Sequence, residues 1–390
     1  MANLDERGDQ KRFTGRTLVA VNLDLPPEYI FTFLNNLRQF LPEIRFERSF
    51  RNLAEETVVF PLLGIAILNI EVGRLRKLVK TEGVELGGVS VSREHLMYTP
   101  TPPEKVGFRI DDPLQLMGVT ERHLGTSDVK VLVLDTGLEM DHPDLAPQNP
   151  TAFPFVQGDA DTTDRTGHGT HVTGLIGAAA NPLEAPRYSV APGVSLIAGR
   201  VTERDTRSVD DETLARALTF AIENGVTVVN MSFGTNVDFD EMYPEACENM
   251  FARALKADVC LVASAGNDPD DTLHPVEYPA NCPSVMAVGS IDASLKPASF
   301  SCGGVNKDQN VDVVAPGVLI RSSFIGQTYR ELSGTSMSAA YVSGVAALWA
   351  DIPSKPRGAA LRDAVIGSVR RLRFGSPVEV GAGLVQAPPS

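Results

Sequence analysis

The sequence lacks any apolar run long enough to cross a membrane. Its longest apolar stretches, 59–70 and 339–350, span about a dozen residues each, whereas a membrane-spanning helix needs about 20. The N-terminal segment is polar and mixed in charge, without the apolar run and small-residue cleavage site of a secretory signal. We therefore expect a cytoplasmic protein with no membrane partner, although secretion by another route stays open.

Cationic side chains are also scarce. The chain carries 35 Lys and Arg against 49 Asp and Glu, which leaves a net charge of −14. A nucleic-acid-binding surface needs an excess of Lys and Arg to neutralise phosphates. We therefore expect no nucleic-acid partner.

Cysteine is rare, and no two cysteines are spaced as a metal-binding pair. The four cysteines are Cys247, Cys260, Cys282 and Cys302, and none belongs to a C-x-x-C motif. This spacing argues against a zinc ribbon. In the cytoplasm we expect reduced and mostly buried thiols.

A chain of 390 residues is long for a single core, and its pattern changes near residue 100. The first part predicts the order β-α-β-β-α-β, typical of a small α+β ferredoxin-like domain. Its predicted elements are strands at 17–25, 44–50, 57–70 and 84–92 and helices at 27–40 and 72–81. A proline-rich segment follows, so we place the domains at 1–98 and 113–390 with a linker at 99–112.

The second domain alternates short apolar strands with helices, which predicts an α/β fold with a parallel sheet. The predicted strands are 129–135, 194–201, 226–231, 258–264 and 284–290, and the predicted helices are 171–180, 210–224, 243–256 and 337–350. In such sheets ligands bind where strands end and helices begin.

Four polar residues lie at such ends. Asp135 closes an apolar strand, His168 lies in a glycine-flanked turn before a helix, and Ser336 directly precedes the apolar helix near 337–350. Together they offer a nucleophile, a base and a carboxylate that orients the base, as acyl-transfer catalysis requires. Asn267 follows another strand, and its amide can stabilise negative charge on the attacked carbonyl.

The segment 113–387 resembles the catalytic domain of the subtilisin family of serine proteases. The resemblance rests on Asp-Thr-Gly at 135–137, His-Gly-Thr-His-Val at 168–172 and Gly-Thr-Ser-Met-Ser at 334–338. Shorter matches lie at 230–234, 265–267, 278–279, 298–301 and 315–317.

This resemblance implies a serine endopeptidase that acts on proteins or peptides and needs no cofactor for its chemistry. It implies that Asp135 orients His168, and that His168 is the base for Ser336. Asn267 would then lie in the oxyanion hole. The implied substrate-binding wall consists of Ser232, Phe233, Gly234, Ala265 and Gly266.

The sequence departs from the family in two places. Ser338-Ala339-Ala340 replaces the common Ala-Thr-Pro, which removes a proline from a helix and leaves the nucleophile unchanged. Asp144 matches a position that binds calcium in many relatives, but the partner loop at 181–186 does not match. Structural calcium at Asp144 and a turn or cap role for this residue are both open.

The N-terminal domain resembles the inhibitor-like propeptide of the same family. The resemblance implies a zymogen in which this domain acts as an intramolecular inhibitor or chaperone and its extended end lies in the active site. We expect self-cleavage between Tyr98 and Thr99, although Pro100 restricts the backbone there. The alternative is a permanent accessory domain.

Three other functions compete with this interpretation. An aspartic protease also carries Asp-Thr-Gly, but it needs a second such motif, and the sequence has none. A subtilisin-like binding protein that has lost catalysis would not need all four polar residues. A zinc site at His168 and His171 lacks the spacing and the glutamate of the two-histidine metalloprotease helix.

The sequence leaves the side-chain preference of the enzyme open. Phe233 and Tyr98 favour a large apolar residue before the cleaved bond, the position called P1. Asp268 favours a basic one.

Overall fold

The structure is a computed structural model, and it describes residues 12–41, 57–81, 86–100, 103, 110–184, 186–203, 206–239, 241–268, 273–304 and 310–390. The predicted strand at 44–50 and most of the linker lie outside these residues.

Fourteen strands are present in the described residues. They are β1 Phe13–Val21, β2 Thr57–Phe60, β3 Ile65–Leu68, β4 Val89–Tyr98, β5 Lys130–Asp135, β6 Thr151–Pro154, β7 Ser195–Arg200, β8 Ser208–Asp210, β9 Val228–Met231, β10 Cys260–Ser264, β11 Met286–Ile291, β12 Val313–Pro316, β13 Ile320–Phe324 and β14 Thr328–Leu332.

Nine α-helices connect them within the same residues. They are α1 Tyr29–Leu37, α2 Val72–Thr81, α3 Pro113–Leu116, α4 His168–Gly177, α5 Asp211–Glu223, α6 Glu245–Lys256, α7 Thr335–Ala350, α8 Gly358–Gly367 and α9 Pro377–Val380. One short 3₁₀ helix covers Ala146–Gln148.

Within its described residues the N-terminal unit has the order β-α-β-β-α-β, and its strands pair in the order β2-β3-β1-β4. Its second and third strands both come from the segment 57–70, whereas the predicted strand at 44–50 lies outside the described residues. The prediction of one strand over 57–70 is wrong, because a turn divides it into β2 and β3. Pro61 lacks an N–H for a strand ladder, and Gly64 adopts a left-handed φ of 61° that suits a turn. The two halves therefore pair with each other, with Phe60 opposite Ile65.

Helix α1 holds this unit together by burying one apolar face. Ile30, Phe33, Leu34 and Leu37 recur at helical spacing and are all buried against the apolar side chains of β1 and β3.

The larger unit is built on a seven-stranded sheet in the order β12-β11-β10-β9-β5-β7-β6. All pairs in this sheet are parallel, and the five strands predicted for it are present. The sheet brings the carboxyl ends of β5, β9 and β10 to one edge. Helix α7 is buried almost throughout and packs against the strands from β9 to β12, so its first turn has one position in the fold.

The two units share a sheet. Strand β4 pairs with β8 of the larger unit, with Leu96 opposite Asp210 and Tyr98 opposite Ser208. Within the described part of the chain, no helix is both long and apolar enough to span a bilayer.

Candidate active site

Asp135 and His168 meet at the carboxyl edge of the large sheet. Asp135 is the last residue of β5 and is 1% exposed. The two oxygens of its carboxylate lie 2.8 and 2.9 Å from His168 Nδ1. Asp135 Oδ1 also accepts a hydrogen bond from the Thr136 N–H at 2.7 Å, which holds the carboxylate in this orientation.

Asp164, which the sequence analysis did not single out, positions the helix that carries His168. Its Oδ2 accepts hydrogen bonds from the N–H and hydroxyl of Thr170, at 2.9 and 2.8 Å. Its Oδ1 accepts one from the Gly167 N–H at 2.9 Å. These bonds explain why α4 begins at His168, three residues before the predicted start, because a carboxylate satisfies the free N–H groups of the first turn. Asp164 lies in a loop between elements, so no periodic pattern marked it.

Two carboxylates raise the pKa of His168. Burial by itself lowers this pKa, but the charge and hydrogen bond of Asp135, together with the charge of Asp164, outweigh the burial. The pKa of His168 therefore lies above the ordinary value of 6.5. A base of this kind accepts a proton more strongly than a free imidazole does.

Ser336 is the second residue of α7, and its side chain lies at the end of β9. Ser336 Oγ is 3.5 Å from the Ser232 carbonyl, and Ser232 Oγ donates to the Ser336 carbonyl at 3.2 Å. The first turn of a helix leaves backbone N–H groups free and carries partial positive charge. Negative charge that develops beside Ser336 is therefore stabilised.

Asn267 is tied to the residue before the serine. Its Oδ1 accepts hydrogen bonds from the Thr335 N–H at 2.8 Å and from the Thr335 hydroxyl at 3.2 Å. Because Oδ1 is the acceptor, the Asn267 Nδ2 group keeps its N–H donors for a ligand. An amide donor and a helix N-terminus thus lie side by side.

The departure at Ser338 creates an additional anchor for α7. Ser338 is fully buried, and its hydroxyl donates to the carbonyls of Ala315 and Pro316, at 3.0 and 3.1 Å. The helix continues without interruption to Ala350, so the chain dispenses with the proline.

The predicted substrate wall consists of the segments that follow β9 and β10. Ser232, Gly234, Ala265 and Gly266 contribute backbone to this wall, but the Phe233 side chain is fully buried in the core. Phe233 therefore gives no support for a preference for aromatic residues.

A family model described as the subtilase family matches residues 126–383 of the chain.

The chain belongs to the subtilase family.

Curated relatives agree with this assignment. The chain is 38% identical to subtilisin BL of Lederbergia lenta over 236 residues, which cover 60% of this chain and 81% of the relative. It is 37% identical to the major intracellular serine protease of Bacillus subtilis (strain 168) over 264 residues, 66% of this chain and 78% of the relative. With the M-protease of Shouchella clausii (strain KSM-K16) it shares 38% over 236 residues, 60% of this chain and 57% of that relative.

The chain is thus a serine endopeptidase that hydrolyses peptide bonds in proteins or peptides, and this chemistry needs no cofactor. The subtilisin-like parallel α/β fold expected from the sequence is confirmed.

The hydrogen-bond donors around the Asp144 carboxylate do not fit a calcium site. Asp144 is 1% exposed, and its Oδ2 accepts hydrogen bonds from the hydroxyls of Tyr188 and Tyr329, at 2.7 and 2.8 Å. Its Oδ1 accepts one from the Leu183 N–H at 2.9 Å. Calcium needs several oxygen lone pairs, whereas these three groups direct hydrogens at the carboxylate.

His171 has a structural role. It is fully buried, and its Nε2 lies 3.0 Å from the carbonyls of Ile320 and Arg330, so it joins α4 to the hairpin of β13 and β14. Burial lowers its pKa to about 3.

The four cysteines are free and buried, as expected.

The end of β4 pairs, as an added strand, with the part of the predicted substrate wall that follows β9. The Tyr98 N–H donates to the Gly234 carbonyl at 2.8 Å, and the Tyr98 carbonyl accepts from the Gly234 N–H at 3.1 Å. In this antiparallel register, position 100 lies opposite Ser232, the residue whose carbonyl contacts Ser336. The carbonyl of Tyr98 is therefore occupied by Gly234 in this arrangement.

Proposed function

We propose that this subtilase hydrolyses peptide bonds through Asp135, His168 and Ser336, with Asn267 as the oxyanion donor. The observation that carries the proposal is the contact of Asp135 with His168 Nδ1 at 2.8 Å. This contact leaves Nε2 as the nitrogen that exchanges protons with the nucleophile.

The four residues divide the reaction between them. Ser336 Oγ attacks the substrate carbonyl while its proton passes to His168 Nε2, and Asp135 stabilises the imidazolium that forms. The Asn267 Nδ2 group and the N–H of Ser336 stabilise the negative oxygen of the tetrahedral intermediate. His168 then gives the proton to the leaving amine, and water hydrolyses the acyl-enzyme by the same steps in reverse order.

The substrate backbone is held by the wall that follows β9 and β10. We assign Ser232, Phe233 and Gly234 to one side of the cleft, and Ala265 and Gly266 to the other. The antiparallel pairing of Tyr98 with Gly234 supports this assignment, because an extended peptide can form the same pair of hydrogen bonds.

Comparison of Ser336→Ala with Ser338→Ala tests the nucleophile. Both variants remove one hydroxyl from the first turns of α7, but only the Ser336 change removes the attacking atom. We expect Ser336→Ala to abolish casein hydrolysis and labelling by a fluorophosphonate, whereas Ser338→Ala keeps both. Equal hydrolysis by the wild type and Ser336→Ala would indicate a binding protein, and inhibition by a carboxylate-directed reagent alone would indicate an aspartic protease.

We assign residues 1–98 as an inhibitory propeptide domain, 99–112 as a linker and 113–390 as the catalytic domain of a zymogen. The pairing of β4 with β8 on one side and with Gly234 on the other supports this division. A segment bound in this way excludes a substrate from the same edges. The N-terminal domain then restrains the enzyme as an intramolecular partner.

Cleavage between Tyr98 and Thr99 stays a prediction about this zymogen. It requires the bound segment to move along the cleft, because the Tyr98 carbonyl accepts from Gly234 and position 100 lies opposite Ser232. Pro100 has no N–H to donate at that position. Mass spectrometry of the purified wild type and of Ser336→Ala decides the matter, since self-cleavage gives a fragment ending at Tyr98 only in the wild type. An intact chain with full activity would instead indicate a permanent accessory domain.

We also propose a cytoplasmic location, which the relative named as an intracellular protease supports. Fractionation of the source cells tests it, and recovery of the protein in the medium would contradict it.

A further inference from the structure

Glu277 is a carboxylate located between the two sides of the proposed substrate wall. Its N–H donates to the Ala265 carbonyl at 2.9 Å, and the next residue, Tyr278, exchanges two hydrogen bonds with Thr235. The segment is thus attached to the chain after β10 on one side and to the chain after β9 on the other. These bonds leave the Glu277 backbone little freedom to move away from the cleft.

The side chain of Glu277 occupies the space where both walls lack side chains. A Cβ atom added at Gly234 would lie 2.4 Å from Glu277 Oε2. A Cβ atom added at Gly266 would lie 2.5 Å from Glu277 Cδ and 2.7 Å from Oε1. The carboxylate therefore lies against both glycines, and any side chain at either position would displace it.

Glu277 has fewer hydrogen-bond and ion-pair partners than three other buried carboxylates elsewhere in the described chain. Asp144 and Asp164 each accept at least three hydrogen bonds, and Glu94 forms an ion pair with Arg16. Glu277 accepts from the Asn267 N–H, and no Lys, Arg or His of the described chain forms an ion pair with it. A carboxylate that is partly removed from water and lacks a cation is unfavourable in its charged form, and either protonation or a cationic ligand relieves this cost.

Asp268, the other acidic residue here, already has a partner. Its Oδ2 lies 3.1 Å from His274 Nδ1. Of these two neighbouring carboxylates, Glu277 is therefore the one without a cationic partner.

The distance of Glu277 from Ser336 along the wall suits a long P1 side chain. Ser232 lies beside Ser336, and Gly234 is two residues farther along the extended chain, which corresponds to about 7 Å. A P1 side chain starts at the Cα next to the scissile carbonyl, and one with the length of an extended lysine or arginine can cover a distance of about 7 Å to the carboxylate.

We propose that Glu277 forms the base of the P1 pocket and selects substrates with arginine or lysine before the cleaved bond. This inference rests on the proposed function, since it assigns the substrate class of the same site. Arginine fits well, because its guanidinium can donate two hydrogen bonds to one carboxylate.

Glu277→Gln tests the inference, because glutamine keeps the shape of the side chain and an acceptor for the Asn267 N–H. The assay measures kcat/KM on peptides that differ only in having Arg, Lys or Phe at P1, with the full chain normalised to fluorophosphonate-labelled sites. We expect the wild type to favour Arg and Lys over Phe. The Arg-to-Phe ratio should fall about 10- to 150-fold in Glu277→Gln, the usual effect of losing a hydrogen-bonded charge.

Asp268→Asn is the matched control. It removes a neighbouring carboxylate that is already paired with His274, and we expect the Arg-to-Phe ratio to change less than about twofold. An unchanged ratio in Glu277→Gln, a wild type that prefers Phe, or a loss of preference confined to Asp268→Asn would each overturn the inference.

The pH dependence of the same ratio gives an independent measurement. Burial raises the pKa of Glu277 to about 7, against the opposing effect of the Asn267 N–H, and the charge of Asp268 raises it further. Cys302 and Asp268, with its partner His274, are the other titratable groups near this carboxylate. Protonation of His168 changes kcat/KM for the Arg and Phe substrates by the same factor, so it does not change their ratio. The Arg-to-Phe ratio should therefore rise with pH through about 7 in the wild type and stay flat in Glu277→Gln.

Binding of benzamidine, a rigid analogue of the arginine side chain, separates failure of this inference from failure of the proposed function. We expect benzamidine to raise the Tm of the wild type and not that of Glu277→Gln. If no substrate is hydrolysed but this difference is present, the catalytic proposal fails and the cation site stands. If hydrolysis occurs without any difference in benzamidine binding or P1 preference, the cation site fails alone.

Discussion

At the scale of single residues, the proton affinity of His168 depends on two carboxylates that reach it from different segments. Asp135 contacts the imidazole directly, whereas Asp164 acts at a distance through its charge. Only a neutral His168 can accept the Ser336 proton, so a raised pKa shifts the rise of activity to higher pH.

We therefore expect kcat/KM for a substrate with an uncharged P1 residue to rise with pH through a value above the 6.5 of a free histidine. Replacing Asp135 with Asn should lower kcat about 10⁴-fold, the loss typical when the carboxylate of such a triad is made neutral. A pH–rate profile of the free enzyme checks the first statement. A midpoint at or below the ordinary value would contradict it.

Asn267 combines a structural contact with a proposed catalytic one, and Asn267→Asp separates them. Aspartate keeps an acceptor for the Thr335 N–H but loses the Nδ2 donors. We expect Tm to stay near that of the wild type while kcat falls at least 10²- to 10³-fold, the range known for removal of the equivalent donor from a subtilisin. Parallel loss of Tm and activity would show that the residue acts through the fold alone.

At the scale of elements, Asp144 joins three segments that are distant in sequence. It links the loop after β5, the loop that carries Leu183 and Tyr188, and Tyr329 of β14. Protein donors thus satisfy a buried carboxylate that would otherwise be costly to leave unpaired.

We expect a chelator such as EDTA to leave the Tm difference between the wild type and Asp144→Ala unchanged, because these donors occupy the Asp144 oxygens. Tyr329→Phe should lower the free energy of unfolding by about 1 kcal/mol, and Asp144→Ala by about 1–3 kcal/mol, since it leaves buried donors without an acceptor. Calorimetry with and without EDTA checks these values. A Tm difference that shrinks with the chelator and returns with added calcium would contradict the first.

The elements themselves were largely predictable from local pattern. Helix α2 has the predicted bounds of 72–81. Helix α5 lies within the predicted 210–224, and its N-cap is Asp210, whose side chain accepts from the Thr213 N–H. The hairpin within 57–70 was missed because apolar residues continue on both sides of Pro61 and Gly64, the two residues that mark its turn. Strand β8 is three residues long and forms only where β4 pairs with it.

At the scale of the whole molecule, Arg16 forms ion pairs across the contact between the two units. Its guanidinium contacts Glu94 of its own unit at 2.6 Å and, on the larger unit, Glu212 at 2.6 Å and Asp210 at 3.0 Å. Glu94 is fully buried and also accepts from the Glu212 N–H at 3.2 Å. Removal of Arg16 would leave several carboxylates facing one another at this contact without their shared cation.

Arg16→Ala should therefore loosen the N-terminal unit, since a buried ion pair that loses one partner is destabilised by about 3–5 kcal/mol. In a Ser336→Ala background, which keeps the chain uncleaved, we expect faster amide hydrogen exchange at Met97 and Tyr98. Arg76→Ala, on the exposed side of α2, is the matched control and should leave exchange unchanged. Equal exchange in all three proteins would show that the contact does not depend on Arg16.

The sequence by itself determined the fold class and the candidate residues Asp135, His168, Ser336 and Asn267, because each lies in a short motif at the end of an element whose pattern is local. The tertiary structure alone decided which groups surround them. Asp164, Glu277 and the two tyrosines on Asp144 acquire their environment from segments far away in the chain. Charge, burial and hydrogen-bond partners are properties of that assembled environment, and no spacing along one segment specifies them.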